Sequence, residues 1–266
     1  MPVIHPTAVV MPGAVLAEDV EVGPLCFVGP DVKIGAGTRL IAQCHVSGHT
    51  ELGKNNVLHP FCAIGGPAQD HGVVPGEISY IKIGDDNVFR ENSTVHSGTK
   101  PGTTTVIGSG CMFMQCSHVA HNCQIGNRVI MVGGAVVAGY CQIGDSALIS
   151  GLCGLHQFCR VGRLAILSGG SVFSVDIPPF MMAEGRNGGI KMINLVGLKR
   201  AGFSDETIRI LRNLFKIFCR SGLSRSNAIA KIKSDLPQIP EVVEFLDFCA
   251  SSQRGVLGGA REGHRD

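Results

Sequence analysis

Large apolar residues, mostly aliphatic, recur at every sixth position over the first two thirds of this chain. The first unbroken series consists of Ile4, Val10, Leu16, Val22, Val28, Ile34, Leu40, Val46, Leu52, Leu58 and Ile64. The same phase resumes at Ile83, Phe89 and Val95, and again from residue 107 to residue 173. Neither an amphipathic helix nor an alternating strand has this period. The pattern predicts hexapeptide repeats of a parallel β-helix, in which three hexads form one triangular coil of about eighteen residues.

Two further positions of the hexad fit a narrow β-helix. Glycine follows the apolar residue in many hexads, as at Gly23 and Gly126, and the fourth residue after the apolar one is usually small. Eight of the eleven cysteines occupy that fourth position: Cys26, Cys44, Cys62, Cys111, Cys123, Cys141, Cys153 and Cys159. We interpret these thiols as small packing groups, which weakens disulfide and zinc interpretations. Stacked cysteines eighteen residues apart could still form a bridge, although a reducing compartment would prevent it.

The composition agrees with tight coils and with a protein that is not inserted in a membrane. Glycine accounts for 36 of the 266 residues, tryptophan is absent and aromatic residues make up 5%, which suits a repeat fold better than a conventional core. The first residues lack the pattern of a signal peptide, and no stretch reaches about eighteen uninterrupted apolar residues. We therefore expect a cytoplasmic protein, without stable membrane insertion and without a nucleic-acid partner.

The net charge of +2 conceals an asymmetry along the chain. Residues 1–179 carry nine Lys and Arg against twelve Asp and Glu, whereas residues 180–266 carry fourteen against nine. The basic C-terminal part is either a solvated helical face or a surface for an acidic or phosphorylated partner.

The hexads end near Ile177, and a helical pattern follows two prolines. Ser204 can cap a helix with apolar residues at positions 208, 211, 214, 215 and 218, and Gly222 can end it. Segments 224–236 and 240–252 predict two more helices, and the tail after Arg254 is expected to fray. We therefore divide the chain into a β-helix domain, residues 1–179, and an α-helical domain, residues 180–266.

Two stretches interrupt the hexads, at residues 66–82 and 97–106. Insertions in a repeat protein project to one side and often form the binding face, although simple surface loops are the alternative. Four histidines, His96, His118, His121 and His156, lie in the coils beside the insertions. This region is therefore the candidate for a functional site.

The positions of His121, Gly139 and Gln157 support this location. These residues follow one another at intervals of eighteen, so they occupy equivalent points on three successive coils. A single histidine is more often structural than catalytic. A histidine aligned with a glycine whose backbone is unobstructed is a better candidate for a site.

Several ordered motifs resemble one protein family. They are His118-Val119-Ala120-His121-Asn122-Cys123, Ala138-Gly139, Leu155-His156-Gln157-Phe158, Asp176-Ile177-Pro178-Pro179, the run 194–200 (NLVGLKR), Gln69-Asp70 and the run 248–256 (FCASSQRGV). Together they resemble the bacterial UDP-N-acetylglucosamine O-acyltransferase family, whose reaction begins lipid A synthesis. The resemblance covers essentially the whole chain. It implies a left-handed parallel β-helix with a C-terminal helical domain, and a homotrimer with sites between subunits.

The resemblance also implies a chemistry without cofactor or metal. His121 would be the general base that takes a proton from a sugar hydroxyl as it attacks an acyl thioester, and the Gly139 N–H would stabilise the oxyanion. The donor would be a 3-hydroxyacyl group on acyl carrier protein, an acidic partner suited to the basic C-terminal part. Gly169 would lie at the far end of the acyl groove, and a glycine there predicts donors of roughly fourteen carbons.

The other implied substrate contacts fall into two groups. The residues implied for the sugar and acyl groups are Gln69, Asp70, His96 and His118, with Asn122 beside the base; those implied for the nucleotide diphosphate or acyl chain are His156, Gln157, Asn194 and Arg200. Asp70 as a turn residue, and Asn194 and Arg200 as ordinary surface groups, are the alternatives. Zinc, as in the γ-type carbonic anhydrases of this fold, is disfavoured because His118 and His121 are three residues apart rather than five.

This chain departs from the family pattern at several positions. Asn122 stands where an aspartate usually follows the base, and an amide cannot stabilise an imidazolium as a carboxylate would. Tyr140 replaces a common histidine, Gly72 a lysine, Val196 a glutamate and Ala201 an arginine. Two alternatives to O-acyl transfer therefore remain open. They are N-acyl transfer to a 3-amino UDP-sugar and a non-catalytic β-helix that binds sugar nucleotides.

Overall fold

The computed structural model describes residues 1–186 and 188–259, and its strands form three sheets around a prism. Strands pair in parallel with the strand one coil away, as Val3 pairs with Glu21 and Gln124 with Gln142. This register of eighteen residues is lengthened only where an insertion intervenes, as between Val57 and Val88. The fold is the parallel β-helix that the repeats predict, with the left hand that the family resemblance implies.

Each sheet forms one face of the prism. The first face contains Val3–Ile4, Glu21–Val22, Arg39–Leu40, Val57–Leu58, Val88–Phe89, Met112–Phe113, Ile130–Met131, Leu148–Ile149, Ile166–Leu167, Met181–Glu184 and Gly189–Ile193. The second face contains Val9–Val10, Phe27–Val28, His45–Val46, Ala63–Gly66, Thr94–His96, His118–Val119, Val136–Val137, Gly154–Leu155 and Val172–Phe173. The third face contains Val15–Leu16, Lys33–Ile34, His49–Leu52, Tyr80–Ile83, Thr104–Ile107, Gln124–Ile125, Gln142–Ile143 and Arg160–Val161.

The apolar residue and the small residue of the hexads fill the inside of the prism. All eight cysteines at the small position are at most 1% exposed, and all eleven cysteines are free thiols. Burial raises the pKa of Cys123 to about 12, so this thiol stays protonated at neutral pH. The interpretation of the stacked cysteines as packing groups is confirmed.

The corners of the prism are tight turns in which one residue has a positive φ angle. Asn122, Tyr140 and Phe158 have φ angles of 60°, 61° and 67°, and they follow one another at intervals of eighteen residues. Their side chains therefore project from one corner, where the rings of Tyr140 and Phe158 stack with centroids 4.9 Å apart. This corner borders the second and third faces.

The two insertions are shorter than the sequence predicts, because the strands that follow them begin at Tyr80 and Thr104. The first insertion loop comprises residues 67–79 and the second insertion loop residues 97–103. They contact each other, since Ser79 Oγ donates to Ser97 Oγ at 3.0 Å and Gly102 N donates to Ile78 O at 2.9 Å. The insertions thus form one joint structure on one side of the prism.

Helices begin later than residue 180. Strand Met181–Glu184 pairs with Ile166–Leu167 and forms an antiparallel hairpin with Gly189–Ile193, so the first sheet continues past the last hexad.

The helices are α1, Leu195–Arg200; α2, Asp205–Arg220; α3, Arg225–Asp235; and α4, Pro240–Ala250. The predicted cap of α2 is confirmed, since Ser204 accepts from the Thr207 N–H; Ser224 caps α3 in the same way by accepting from the Asn227 N–H. Within residues 1–186 and 188–259, no helix has the length and apolarity needed to cross a bilayer.

Residues 255–259 return to the end of the β-helix. Asp176 bridges to Val256 and Ile190 to Gly259, and the Leu257 N–H donates to the Asp176 carbonyl at 2.8 Å. Val256 is 4% exposed. The expectation of a frayed tail is wrong for these residues because the last coil and the hairpin supply backbone partners; residues 260–266 lie outside the described part of the chain.

Candidate functional site

His121 lies at the corner after strand His118–Val119, and only 3% of it is exposed. Its Nδ1 is 3.1 Å from Asn122 Oδ1, and its Nε2 is 3.9 Å from Asp70 Oδ2. Asp70 belongs to the first insertion loop, where its other oxygen accepts a hydrogen bond from the Gly72 N–H. The loop thus brings a carboxylate to the ring nitrogen that faces away from Asn122.

The hydrogen bonds of Asn122 determine which nitrogen of His121 carries the proton. The Thr99 N–H donates to Asn122 Oδ1 at 3.0 Å, and since a backbone N–H can only donate, this atom must be the amide oxygen. His121 Nδ1 contacts the same oxygen and therefore donates to it. In the neutral ring, Nε2 then keeps its lone pair. This is the tautomer that a general base acting through Nε2 needs.

Gly139 lies one coil from His121, directly against the imidazole ring. A Cβ atom at position 139 would be 2.5 Å from His121 Nε2 and would also meet Cε1. Only glycine therefore allows the ring its present position. The Gly139 N–H makes no hydrogen bond within the part of the chain that the structure describes. It is a backbone donor beside Nε2, as an oxyanion site requires.

Two further histidines beside His121 are neutral near pH 7. The rings of His96 and His118 pack edge to face with centroids 5.0 Å apart. Burial, reinforced by the neighbouring imidazoles, lowers the pKa of His118 to about 4, and burial also lowers the pKa of His96. His118 Nδ1 is 2.7 Å from Thr94 Oγ1, whereas His96 Nδ1 is buried without a hydrogen-bond partner among the described residues.

The second insertion loop adds a contact that the sequence analysis missed. Thr99 Oγ1 lies 3.1 Å from Asn122 Oδ1 and 2.7 Å from the Tyr140 hydroxyl. The Tyr140 ring in turn packs edge to face against His121, with centroids 5.3 Å apart. The interval of eighteen residues between Asn122 and Tyr140 could have predicted that these two are neighbours. No repeat position pointed to Thr99, because it lies in an insertion.

The remaining residues predicted near the base are less closely engaged. Gln69 is exposed beside Asp70 in the first insertion loop. Gln157 follows Gly139 on the next coil, where the Phe158 N–H donates to the Gly139 carbonyl at 3.0 Å. His156 is exposed, and its Nδ1 lies 3.1 Å from Nη2 of Arg254. The same Nδ1 lies 3.2 Å from the Gln157 carbonyl oxygen, so both groups contact one nitrogen of this ring.

Asn194 and Arg200 lie in a different part of the chain. Asn194 is 5% exposed and caps α1, since Oδ1 accepts from the Gly197 N–H and Nδ2 donates to the Leu164 carbonyl, both at 2.8 Å. Both ends of its amide are thus used structurally. Arg200 and Arg128 line a cleft of 570 Å³ whose walls do not include His121. The structure therefore does not bring Asn194 and Arg200 close to His121 within one chain.

Gly169 lies at an exposed corner after strand Ile166–Leu167. A Cβ atom there would make an ordinary contact of 3.5 Å with the Gly151 carbonyl oxygen. Gly133, Gly151 and Gly169 are eighteen residues apart and form a strip without side chains along this corner. A larger residue at position 169 would project from the end of the strip. Within the described residues, no three His, Cys, Asp or Glu side chains are grouped to hold a metal ion.

Comparisons with known proteins match nearly the whole chain. Residues 176–257 match a family model described as UDP N-acetylglucosamine O-acyltransferase, domain 2, and residues 104–139 match the bacterial transferase hexapeptide (six repeats). Curated proteins from Thermodesulfovibrio yellowstonii and Syntrophobacter fumaroxidans are 47% and 46% identical, over 95% and 96% of this chain and 98% and 99% of theirs. Both are named acyl-[acyl-carrier-protein]--UDP-N-acetylglucosamine O-acyltransferase. The solved structure of LpxA from Acinetobacter baumannii is 38% identical with a TM-score of 0.91, covering 96% of this chain and 99% of that one.

Proposed function

Since this chain belongs to the UDP-N-acetylglucosamine O-acyltransferase family, we propose that it transfers an acyl group from acyl carrier protein to the 3-hydroxyl of UDP-N-acetylglucosamine, the reaction that begins lipid A synthesis. The observation that carries this proposal is the geometry around His121. Asn122 holds the proton on Nδ1, which leaves Nε2 as a base, and the backbone of Gly139 lies against the same ring. A base and an oxyanion donor side by side are what acyl transfer to a hydroxyl requires.

The reaction can be written with the substrates and these two residues alone. His121 Nε2 accepts the proton of the sugar hydroxyl while the hydroxyl oxygen attacks the thioester carbonyl carbon. The carbonyl electrons move to the oxygen, which the Gly139 N–H stabilises. The tetrahedral intermediate then collapses, the carbon–sulfur bond breaks, and the proton passes from Nε2 to the leaving thiolate of the carrier protein. His121 returns to its neutral form.

The neighbours of His121 favour its transient positive charge. A nearby cation would oppose protonation of the ring, and the buried His96 and His118 avoid this because their lowered pKa values keep them neutral. The carboxylate of Asp70, 3.9 Å from Nε2, favours the imidazolium. We infer that Asp70 supplies part of the electrostatic support that an aspartate at position 122 would give, and that it also orients a sugar hydroxyl.

We further propose that the active form is a cytoplasmic homotrimer with its sites between subunits. Two observations support this assembly. Arg200 lines a cleft that does not include His121, and Leu152 and Phe158 are 75% and 51% exposed at the corners of the coils. A neighbouring subunit would cover such apolar side chains and bring its cleft to the base. Sedimentation velocity should give about three times the chain mass of 28.0 kDa, and a monomer would contradict the proposal.

Turnover of the purified protein tests the chemistry. We expect transfer from 3-hydroxyacyl carrier protein to UDP-N-acetylglucosamine, and a parallel reaction with the 3-amino analogue distinguishes O-acyl from N-acyl transfer. His121→Ala should lower kcat at least about a hundredfold, and the matched His45→Ala, at an exposed residue of the same face, should not. Near-normal turnover by His121→Ala would refute the base assignment. No transfer to either acceptor would favour a non-catalytic binding protein.

A further inference from the structure

We propose that Thr99 and Tyr140 are positioning residues that hold the Asn122 amide in the one orientation that makes His121 a base. The inference rests on the proposed function, because it concerns the same histidine. Four polar groups form a chain: Tyr140 OH is 2.7 Å from Thr99 Oγ1, which is 3.1 Å from Asn122 Oδ1, which is 3.1 Å from His121 Nδ1.

An amide at position 122 needs such support, whereas a carboxylate would not. The two oxygens of a carboxylate both accept hydrogen bonds, so either can face His121 Nδ1. An amide has one oxygen and one NH₂ group, and a half-turn exchanges them. In the turned amide, the NH₂ group would donate to His121 Nδ1 and move the ring proton to Nε2. The lone pair that accepts the proton from the sugar hydroxyl would then be lost.

The direction of each hydrogen bond follows from the atoms involved. Asn122 Oδ1 can only accept, so the Thr99 hydroxyl donates to it. Thr99 has one hydroxyl hydrogen, and the Tyr140 hydroxyl must therefore donate to Thr99 Oγ1. Oδ1 accepts from the Thr99 N–H, the Thr99 hydroxyl and His121 Nδ1. A turned amide would place its NH₂ group against the two donors of Thr99 and is disfavoured.

The surroundings keep water from replacing these donors. Thr99 is 8% exposed and Asn122 is 9% exposed. The Tyr140 ring lies between Phe158, on which it stacks, and the edge of His121, so its hydroxyl is held at Thr99. The second insertion loop thus acts on the base through Asn122.

Two variants and two readouts test the proposal. Thr99→Val removes the hydroxyl but keeps the backbone N–H. Tyr140→Phe removes the hydroxyl that donates to Thr99 Oγ1. We expect kcat to fall about tenfold and about threefold, respectively, since Thr99→Val loses two hydrogen bonds behind the base and Tyr140→Phe loses one, while KM for both substrates stays within about twofold. The imidazole ¹⁵N signals of His121 should show the Nδ1–H form in the wild type and a partial shift to the Nε2–H form in Thr99→Val.

Matched controls distinguish positioning from folding. Thr104→Val and Tyr80→Phe change the same residue types on the adjoining strands, where the described structure gives their hydroxyls no hydrogen bond, and should behave as wild type. Thr99→Ser keeps the hydroxyl and should retain both kcat and the tautomer. If Thr99→Val does not fold, the kcat and the His121 ¹⁵N signals of Tyr140→Phe take its place.

The decisive comparison uses Asn122→Asp, whose two oxygens are equivalent. The kcat of this variant serves as the reference, and adding Thr99→Val to it should lower that kcat by less than about twofold. An equal loss in both backgrounds, or an unchanged His121 tautomer in Thr99→Val, would overturn the proposal. The ¹⁵N measurement needs no turnover, so a failure of the proposed function would be seen separately from a failure of this inference.

Discussion

One added methyl group at Gly139 should lower kcat about a hundredfold without unfolding the β-helix. The Cβ atom of Gly139→Ala would stand 2.5 Å from His121 Nε2 and also against Cε1. Non-bonded heavy atoms of this kind normally stay ~3.5 Å or more apart, so the imidazole must move by roughly 1 Å. The ring has little freedom to do so, because Asn122 holds Nδ1 and the Tyr140 ring packs against it.

The size of the effect follows from this displacement. A catalytic group misplaced by about 1 Å typically loses about a hundredfold in rate, which corresponds to about 2.7 kcal/mol of the activation barrier. The backbone at Gly139 has no positive φ angle, so alanine adds no strain to the chain itself. The loss should therefore appear in kcat, while the thermal unfolding midpoint changes little.

Acyl transfer kinetics and circular dichroism measure both quantities. Gly154→Ala is the matched control, because a Cβ atom there would lie 3.9 Å from the methyl groups of Val172 on the same face, an ordinary contact. This control should keep kcat within about twofold of the wild type. If folded Gly139→Ala retained more than about a third of the wild-type kcat, the assignment of His121 as a closely held base would be refuted.

Three further predictions concern the acyl groove, the carrier protein and acid stability. Donors of roughly fourteen carbons should be preferred, and Gly169→Met should shift the preference to shorter chains; an unaltered length profile would place the limit elsewhere. Charge reversal at Arg212 and Lys216, both exposed on α2, should raise KM for the acyl carrier protein and flatten its salt dependence, with the sugar-nucleotide KM as the control; unchanged donor kinetics would favour a merely solvated face. The free energy of unfolding should fall between pH 6.5 and about 4, because the unfolded chain binds a proton at His118 that the folded chain does not. Urea titrations should show a fall on the order of 3 kcal/mol from this residue, and His118→Gln should flatten it; an equal fall in both proteins would contradict a buried neutral imidazole.

The sequence by itself determined the prism and much of the residue placement within it. A period of six assigns each hexad position to the inside, a corner or the outside, so the burial of the cysteines and the alignment of His121 with Gly139 follow from counting. The cap of α2 was equally predictable, because the hydrogen bond between Ser204 and the backbone three residues ahead is a local interaction. Interactions between residues at a fixed sequence interval leave a pattern that can be recognised in a single sequence.

The tertiary structure decided the contacts between residues that are not separated by a fixed interval in the sequence. Asp70 and Thr99 reach His121 and Asn122 from insertion loops, whose paths depend on packing against each other and on the strands that they join. The pairing of Met181–Glu184 with Gly189–Ile193 and the return of residues 255–259 also depend on backbone partners outside the hexads. Long-range contacts of this kind form only when folded surfaces meet. For this reason, the repeat pattern aligns His121 with Gly139, whereas only the structure shows which residues of the insertion loops contact His121 and Asn122.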